Sequence, residues 1–167
     1  MTPLYVDAKF DSESENLLYQ IVNSIGATKD FVDRFHCTIV YSRSPIPRPT
    51  LHDGTTPDDN MTATTEVFGE FATITGFGHF DTEDGKNLHV LVSSQFLLDE
   101  HNRFMDMGAS FDYDEYTPHV TLMYDCGNFD VNSGNSILNR FIGRQLKISQ
   151  ESMSPLDENW VDNSKNK

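Results

Sequence analysis

A chain of 167 residues with 26 acidic and 12 basic side chains carries a formal charge of −14 at neutral pH. That charge repels the backbone of long DNA or RNA, which binds non-specifically by releasing counterions onto Lys and Arg, so a long nucleic acid is excluded as a partner. With 37% hydrophobic residues, 12 Phe and 6 Tyr, the chain is long and aromatic enough to fold as one domain, and a pocket for a small anion needs only a local set of donors.

LYVDAKF (4–10) alternates apolar and polar residues and predicts a strand. DSESENLLYQIVNSIG (11–26) predicts a helix, with Ser12 and Glu15 at capping-box spacing and Gly26 to close it. A second strand is expected in FHCTIVYS (35–42), followed by a long irregular loop over 44–65, rich in Pro, Asp, Thr and Gly and suited to closing over a ligand. FGEFATITGFGHF (68–80) and NLHVLVSS (87–94) read as a hairpin joined by DTEDGK. A helix over 94–110, capped by Ser93 or Ser94, leads to a strand in YTPHVTLMYD (116–125). A helix in 135–143 and a strand in 144–152 complete a domain of residues 1–152, with 153–167 as a polar tail. This order predicts an α+β fold with antiparallel sheets.

The sequence writes one pattern twice, HCTIVY at 36–41 and HVTLMY at 119–124, once in each half. Side chains at i and i+2 of a strand share a face, so His36 and Thr38 point together, as do His119 and Thr121. If the two halves pack about an approximate two-fold axis, two imidazoles and two hydroxyls face one another across a cleft. That set suits phosphodiester chemistry: a neutral imidazole takes a proton from an attacking hydroxyl, a protonated one supplies the leaving oxygen, and the hydroxyls donate to the phosphoryl oxygens. It calls for no metal and no cofactor. Cys37, one position off, faces away from this cleft and is expected in the core as an inert thiol.

HCTIV and HVTLM resemble the two H-x-[ST]-hydrophobic motifs of the 2H phosphoesterase superfamily. That likeness implies a bilobal, pseudo-two-fold α+β fold, with two antiparallel sheets flanked by helices and a central cleft. Within that superfamily, the acidic chain, its opening LYVDAKF and its closing segment with Glu and Trp resemble the anti-CBASS cyclic-oligonucleotide phosphodiesterases of tailed phages. The resemblance implies metal-independent cleavage of 3′–5′ bonds in cyclic di- and trinucleotide signals, carried by His36, Thr38, His119 and Thr121. It also implies aromatic and acidic contacts to the bases, for which Tyr5, Glu151 and Trp160 are the local matches. Each of these three also fits a plain structural role: Tyr5 in the core, Glu151 on a solvated strand, Trp160 as a clip for the tail.

Two rival readings of the motif are a 2′,3′-cyclic or 2′–5′ RNA phosphodiesterase and a protein that sequesters a nucleotide without cleaving it. No protein partner is implied. The opening residues lack the basic and apolar regions of a secretory leader. No run approaches the roughly 20 apolar residues of a membrane span. The expectation is a soluble protein with free Cys37 and Cys126, in the host cytoplasm if phage-encoded. His52 and Asp53 lack further partners at metal-ligand spacing. DTEDGK departs from a calcium loop in its Gly position. His79, His89 and His101 stand outside any motif and are expected at surface or satisfied core positions. Ser42 and Arg43 follow the first motif closely enough to reach a phosphate, although a solvated loop end is the plainer reading.

Overall fold

The computed structural model describes residues 1–26, 32, 34–51, 54–83, 85–132 and 135–157. Six strands and three helices alternate as β1 (Thr2–Phe10), α1 (Ser12–Ser24), β2 (His36–Ile46), β3 (Ala63–Thr82), β4 (Gly85–Ser93), α2 (Gln95–Asp106), β5 (His119–Met123), α3 (Ser136–Asn139) and β6 (Gln145–Pro155). The α+β class holds. The sheet, however, is single: every pairing is antiparallel, and the strands follow one another as β1-β2-β5-β4-β3-β6, with β6 returning to β1. Two separate sheets are not what joins the halves. The 20-residue β3 is responsible, because its first part pairs with β6 and its second with β4.

One face of this sheet is apolar. Leu4, Val6 and Ala8 of β1, Cys37 and Ile39 of β2, Val90 of β4 and Val120 and Leu122 of β5 are all fully buried there. The stripe Leu17, Leu18, Ile21 and Val22 of α1, with Leu97 and Phe104 of α2, completes the core. Helix α1 is capped one residue earlier than the Ser12–Glu15 spacing predicts. Asp11 takes the cap, its carboxylate accepting from Ser14 N at 2.8 Å. Ser94 caps α2 as expected, through Leu97 N.

The doubled six-residue pattern has a backbone cause. Opposite Ile39 the β1–β2 register shifts between Val6 and Asp7, and opposite Leu122 the β4–β5 register shifts between Leu88 and His89. A bulge adds one residue and so reverses the alternation of faces beyond it. Ile39 and Val40 are accordingly buried in succession, as are Leu122 and Met123. Tyr41, which simple alternation would send into the core, is returned to the face that carries His36 and Thr38.

The expected loop 44–65 is shorter at both ends, since β2 runs to Ile46 against Thr2 and β3 begins at Ala63 against Met153. What remains is tied down by Arg48, 6% exposed, whose guanidinium donates to the carbonyls of Asp59 (2.8 Å) and Met61 (2.9 Å). Helix α3 is one turn on an Asn135 cap. Strand β6 continues to Pro155, past the expected domain end at 152, and Leu156 N then bonds Pro3 O at 2.9 Å. No helix among the described residues is long and apolar enough to cross a membrane.

Candidate active site

Strands β2 and β5 are hydrogen-bonded neighbours, registered through the pair Cys37 and Val120. Both of those side chains are fully buried on the apolar face, so the flanking His36, Thr38, His119 and Thr121 project from the other, and each is half-buried. In an antiparallel ladder that pair sets His36 across from Thr121 and Thr38 across from His119. The two histidines are then diagonal neighbours, a relation that spans roughly 7–8 Å, about the width of a phosphate held between two rings. Thr38 and Thr121 occupy the other diagonal. The four residues singled out in the sequence are thus brought together on one face.

Each imidazole is oriented by the same backbone device. His36 Nδ1 lies 3.4 Å from Arg34 O, and His119 Nδ1 lies 3.0 Å from Thr117 O, in both cases the carbonyl two residues back. A carbonyl accepts and cannot donate, so Nδ1 carries a proton and Nε2 is left for proton transfer. The strand itself is held from behind. Tyr116 donates its hydroxyl to Thr38 O at 2.8 Å and stacks flat on His101, at 4.1 Å and 3° between rings. His101 Nδ1 in turn meets Ile39 O at 2.7 Å. Cys37 sits in this layer, its thiol pushed up to about 12 chiefly by burial, and takes no part in the cleft.

Two unlike chambers open on either side of the paired strands. The smaller, about 310 Å³, is reached by His36 and Tyr5, Asp7, Ser154 and Asp157. Lys9, across from His36 in the register, forms an ion pair with Asp7 at 3.1 Å on this side. The larger chamber, about 490 Å³, holds His119 and Thr38 among Phe80, Leu91, Phe111 and Tyr113, with Arg43 at its rim. Tyr41 borders both. Arg43 lies over the Tyr41 ring at 5.1 Å and pairs with Asp112 at 3.3 Å. Ser42 is fully buried, with its hydroxyl donating to Ser44 O, and holds the strand end instead of reaching the cleft. No described residue of the loop 47–62 lines either chamber.

Tyr5 reaches Thr38 itself, a closer approach than a base-stacking role requires. Its hydroxyl is 2.9 Å from Thr38 Oγ1, and burial, then the nearby Asp7, pushes that hydroxyl's pKa up, keeping it protonated. Glu151 corrects the sequence reading. It pairs with Ala8, on the apolar face, and so points away from His36. Its carboxyl is 4% exposed and hydrogen-bonded to Glu100 of α2, which Arg103 grips with two bonds of 2.7 and 2.9 Å. Burial first, and Glu100 second, push the Glu151 pKa up to about 9. It is an acid of the sheet–helix interface. Trp160, His52 and Asp53 lie outside the described residues.

His79 is exposed beside Asp81 (3.5 Å), and His101 is a satisfied core residue, both as expected. His89 is neither. It pairs with Thr121 in the β4–β5 register, and its ring lies 5.0 Å from that of His119. No local pattern in the sequence marks it, because its place follows from the register alone. Among the described residues no three His, Cys, Asp or Glu side chains converge as metal ligands would.

An α+β protein whose single closed sheet presents two His-x-Thr pairs on one face is the class that fold and site define. The family described as Anti-CBASS protein Acb1 matches this chain over residues 2–163, and the chain belongs to that family. Anti-CBASS protein Acb1 of Vibrio phage KVP40 is 32% identical over 162 residues, covering 96% of this chain and 91% of the relative. That of Escherichia phage RB16 is 30% identical over 155 residues (92% and 80%), and that of Enterobacteria phage T4 28% over 168 residues (98% and 95%).

Proposed function

We propose that this protein is a phosphodiesterase of the 2H type. In this reading it opens 3′–5′ linkages of cyclic di- and trinucleotide second messengers without a metal, and thereby counteracts CBASS immunity in the cytoplasm of an infected bacterium. The observation that carries this reading is the diagonal placement of two imidazoles and two threonine hydroxyls on adjacent strands, each imidazole with its Nδ1 tied back. Membership of the anti-CBASS family supports the biological side.

The ribose 2′-hydroxyl of the bound ring gives its proton to the neutral Nε2 of one histidine, and O2′ bonds to the neighbouring phosphorus. The P–O5′ bond breaks, and O5′ takes a proton from the other histidine, which enters as imidazolium. A linear product with a 2′,3′-cyclic phosphate and a free 5′-hydroxyl results, and water can open that phosphate by the reverse proton path. Thr38 and Thr121 donate to the non-bridging oxygens as charge builds there. With the Tyr5 proton on Thr38 Oγ1, the threonine's own proton is free for the phosphoryl oxygen.

The test is incubation of the protein with a panel of cyclic di- and trinucleotides, 2′–5′ oligoadenylate and linear RNA ends, all in EDTA, with product identification. Ring opening in EDTA is expected, together with failure on a ring that lacks the 2′-hydroxyl at the scissile linkage. Prompt cleavage of that deoxy ring would rule out the mechanism. Cleavage of linear RNA ends alone would replace the substrate.

A further inference from the structure

His89 is the buried polar group that the mechanism leaves unused. It stands on β4 across from Thr121 and lines the chamber that holds His119. Its ring is stacked on Phe80 at 4.5 Å and tilted against His119 at 5.0 Å, while Phe80 also meets His119 edge-on at 5.6 Å. Among the described residues no aromatic ring packs on His36 in this way, so the arrangement belongs to one side of the cleft.

The slot for this ring is made by a glycine. Gly78 pairs with His89 across β3 and β4, and a Cβ at that position would lie 2.6 Å from His89 Nε2. The imidazole therefore lies over bare backbone, which any other residue at 78 would block. His89 is 5% exposed, yet its Nδ1 has no hydrogen-bond partner. A buried polar atom left unpaired opposes folding, and a phenyl ring would fill the same slot without it. An orphaned buried polar atom calls for a cause, and in a side chain that lines a chamber beside His119 a ligand contact is one.

We propose that His89 is a third imidazole of the reaction centre and hydrogen-bonds the phosphodiester bound beside His119. This rests on the phosphodiesterase reading and adds a group to it. The contact is that of a neutral ring, because burial first, then the neighbouring His119 and His79, push the His89 pKa down to about 4. His89 thus adds a fixed dipole next to His119 without competing for its proton.

The experiment compares His89→Phe, His89→Asn and His36→Ala with the wild type on a cleaved cyclic dinucleotide, alongside thermal unfolding. His89→Phe keeps the shape of the ring and removes both nitrogens. It is expected to unfold at the same or a higher temperature while kcat/KM drops roughly 10- to 100-fold, with His89→Asn in between. A His89→Phe variant within about twofold of the wild type, in an enzyme that His36→Ala inactivates, overturns the inference and leaves the functional reading intact. If the wild type cleaves no cyclic oligonucleotide, that reading fails, and His89 is judged by its imidazole nitrogen shifts during titration with inorganic phosphate. A shifted His89 resonance supports a phosphate contact, and an unmoved one overturns it.

Discussion

The two sides of the cleft share a His-x-Thr pair and differ in their walls. Around His36, β1, β6 and the residues just after it supply Tyr5, Asp7, Ser154, Leu156 and Asp157, a wall that carries the Lys9–Asp7 ion pair. Around His119, β3 and β4 supply Phe80, His89 and Leu91, and the segment after α2 adds Phe111, Asp112, Tyr113 and Glu115, a wall rich in aromatic rings. The backbone repeats itself down to the bulge that follows each His-x-Thr, so the difference arises in the neighbouring strands. Duplicating a strand duplicates an acid–base group, and the strand beside it decides what each copy can hold. A two-fold pattern of residues is thereby given two distinct ends, as the proposed directional proton relay requires.

Removing either imidazole is expected to break the proposed relay. His36→Ala and His119→Ala are each expected to lower kcat by about 10²- to 10⁴-fold with smaller changes in KM, measured by product formation under saturating substrate. A loss below tenfold in either would mean that the two sides are not both proton carriers. The same variants sharpen the comparison when the substrate is given an activated leaving group that needs no protonation. Activity should return to the variant that lacks the acid and stay absent in the one that lacks the base.

His89 gives the His119 side an acid-sensitive group. Its pKa is pushed down to about 4 in the folded protein, against about 6.5 in the unfolded chain. The unfolded state therefore takes up the proton first as the pH falls. Stability attributable to His89 is present above pH 6.5 and is lost progressively between there and pH 4, on the order of 3 kcal/mol in all. Urea unfolding of the wild type and His89→Phe at pH 7.5 and pH 4.5 should show a smaller loss in the variant. Equal losses would place the acid-sensitive group elsewhere.

Tyr5→Phe tests the His36 side. It leaves Thr38 Oγ1 without its 2.9 Å partner and frees the threonine hydroxyl to point away from the phosphate, so kcat should fall roughly tenfold. An unchanged kcat with raised KM would return Tyr5 to the base-stacking role that the sequence reading gave it.

The sequence carried the placement of the two His-x-Thr pairs well and the walls around them poorly, for a physical reason. His36, Thr38, His119 and Thr121 could be placed on one face because i and i+2 alternation is local. Single closure of the sheet was not legible, since it depends on β3 being long enough to serve two neighbours. His89 and Gly78 were hidden for the same reason: neither belongs to a local pattern, and only the pairing of β3 with β4 and of β4 with β5 sets them beside His119. The tail beyond 152 looked like a polar extension, yet Ser154 and Asp157 line the smaller chamber.

Glu151 makes the limit of local reading measurable. One residue along the strand, Ser152 pairs with Asp7 on the cleft face, while Glu151 pairs with Ala8 and enters the core. A shift of a single position would have made it a ligand contact. Instead its pKa is pushed up to about 9, so the folded protein holds a proton there that the unfolded chain releases near pH 4.5. A raised carboxyl opposes folding as the pH climbs from about 4.5 towards 9, since ionisation is then favoured in the unfolded state. Glu151→Gln keeps the shape, abolishes the titration, and should leave kcat and KM unchanged while raising the melting temperature at pH 8 by a few degrees and hardly at all at pH 4.5. A large rise in KM with no change in melting behaviour would move Glu151 back to the cleft and overturn the register between β1 and β6.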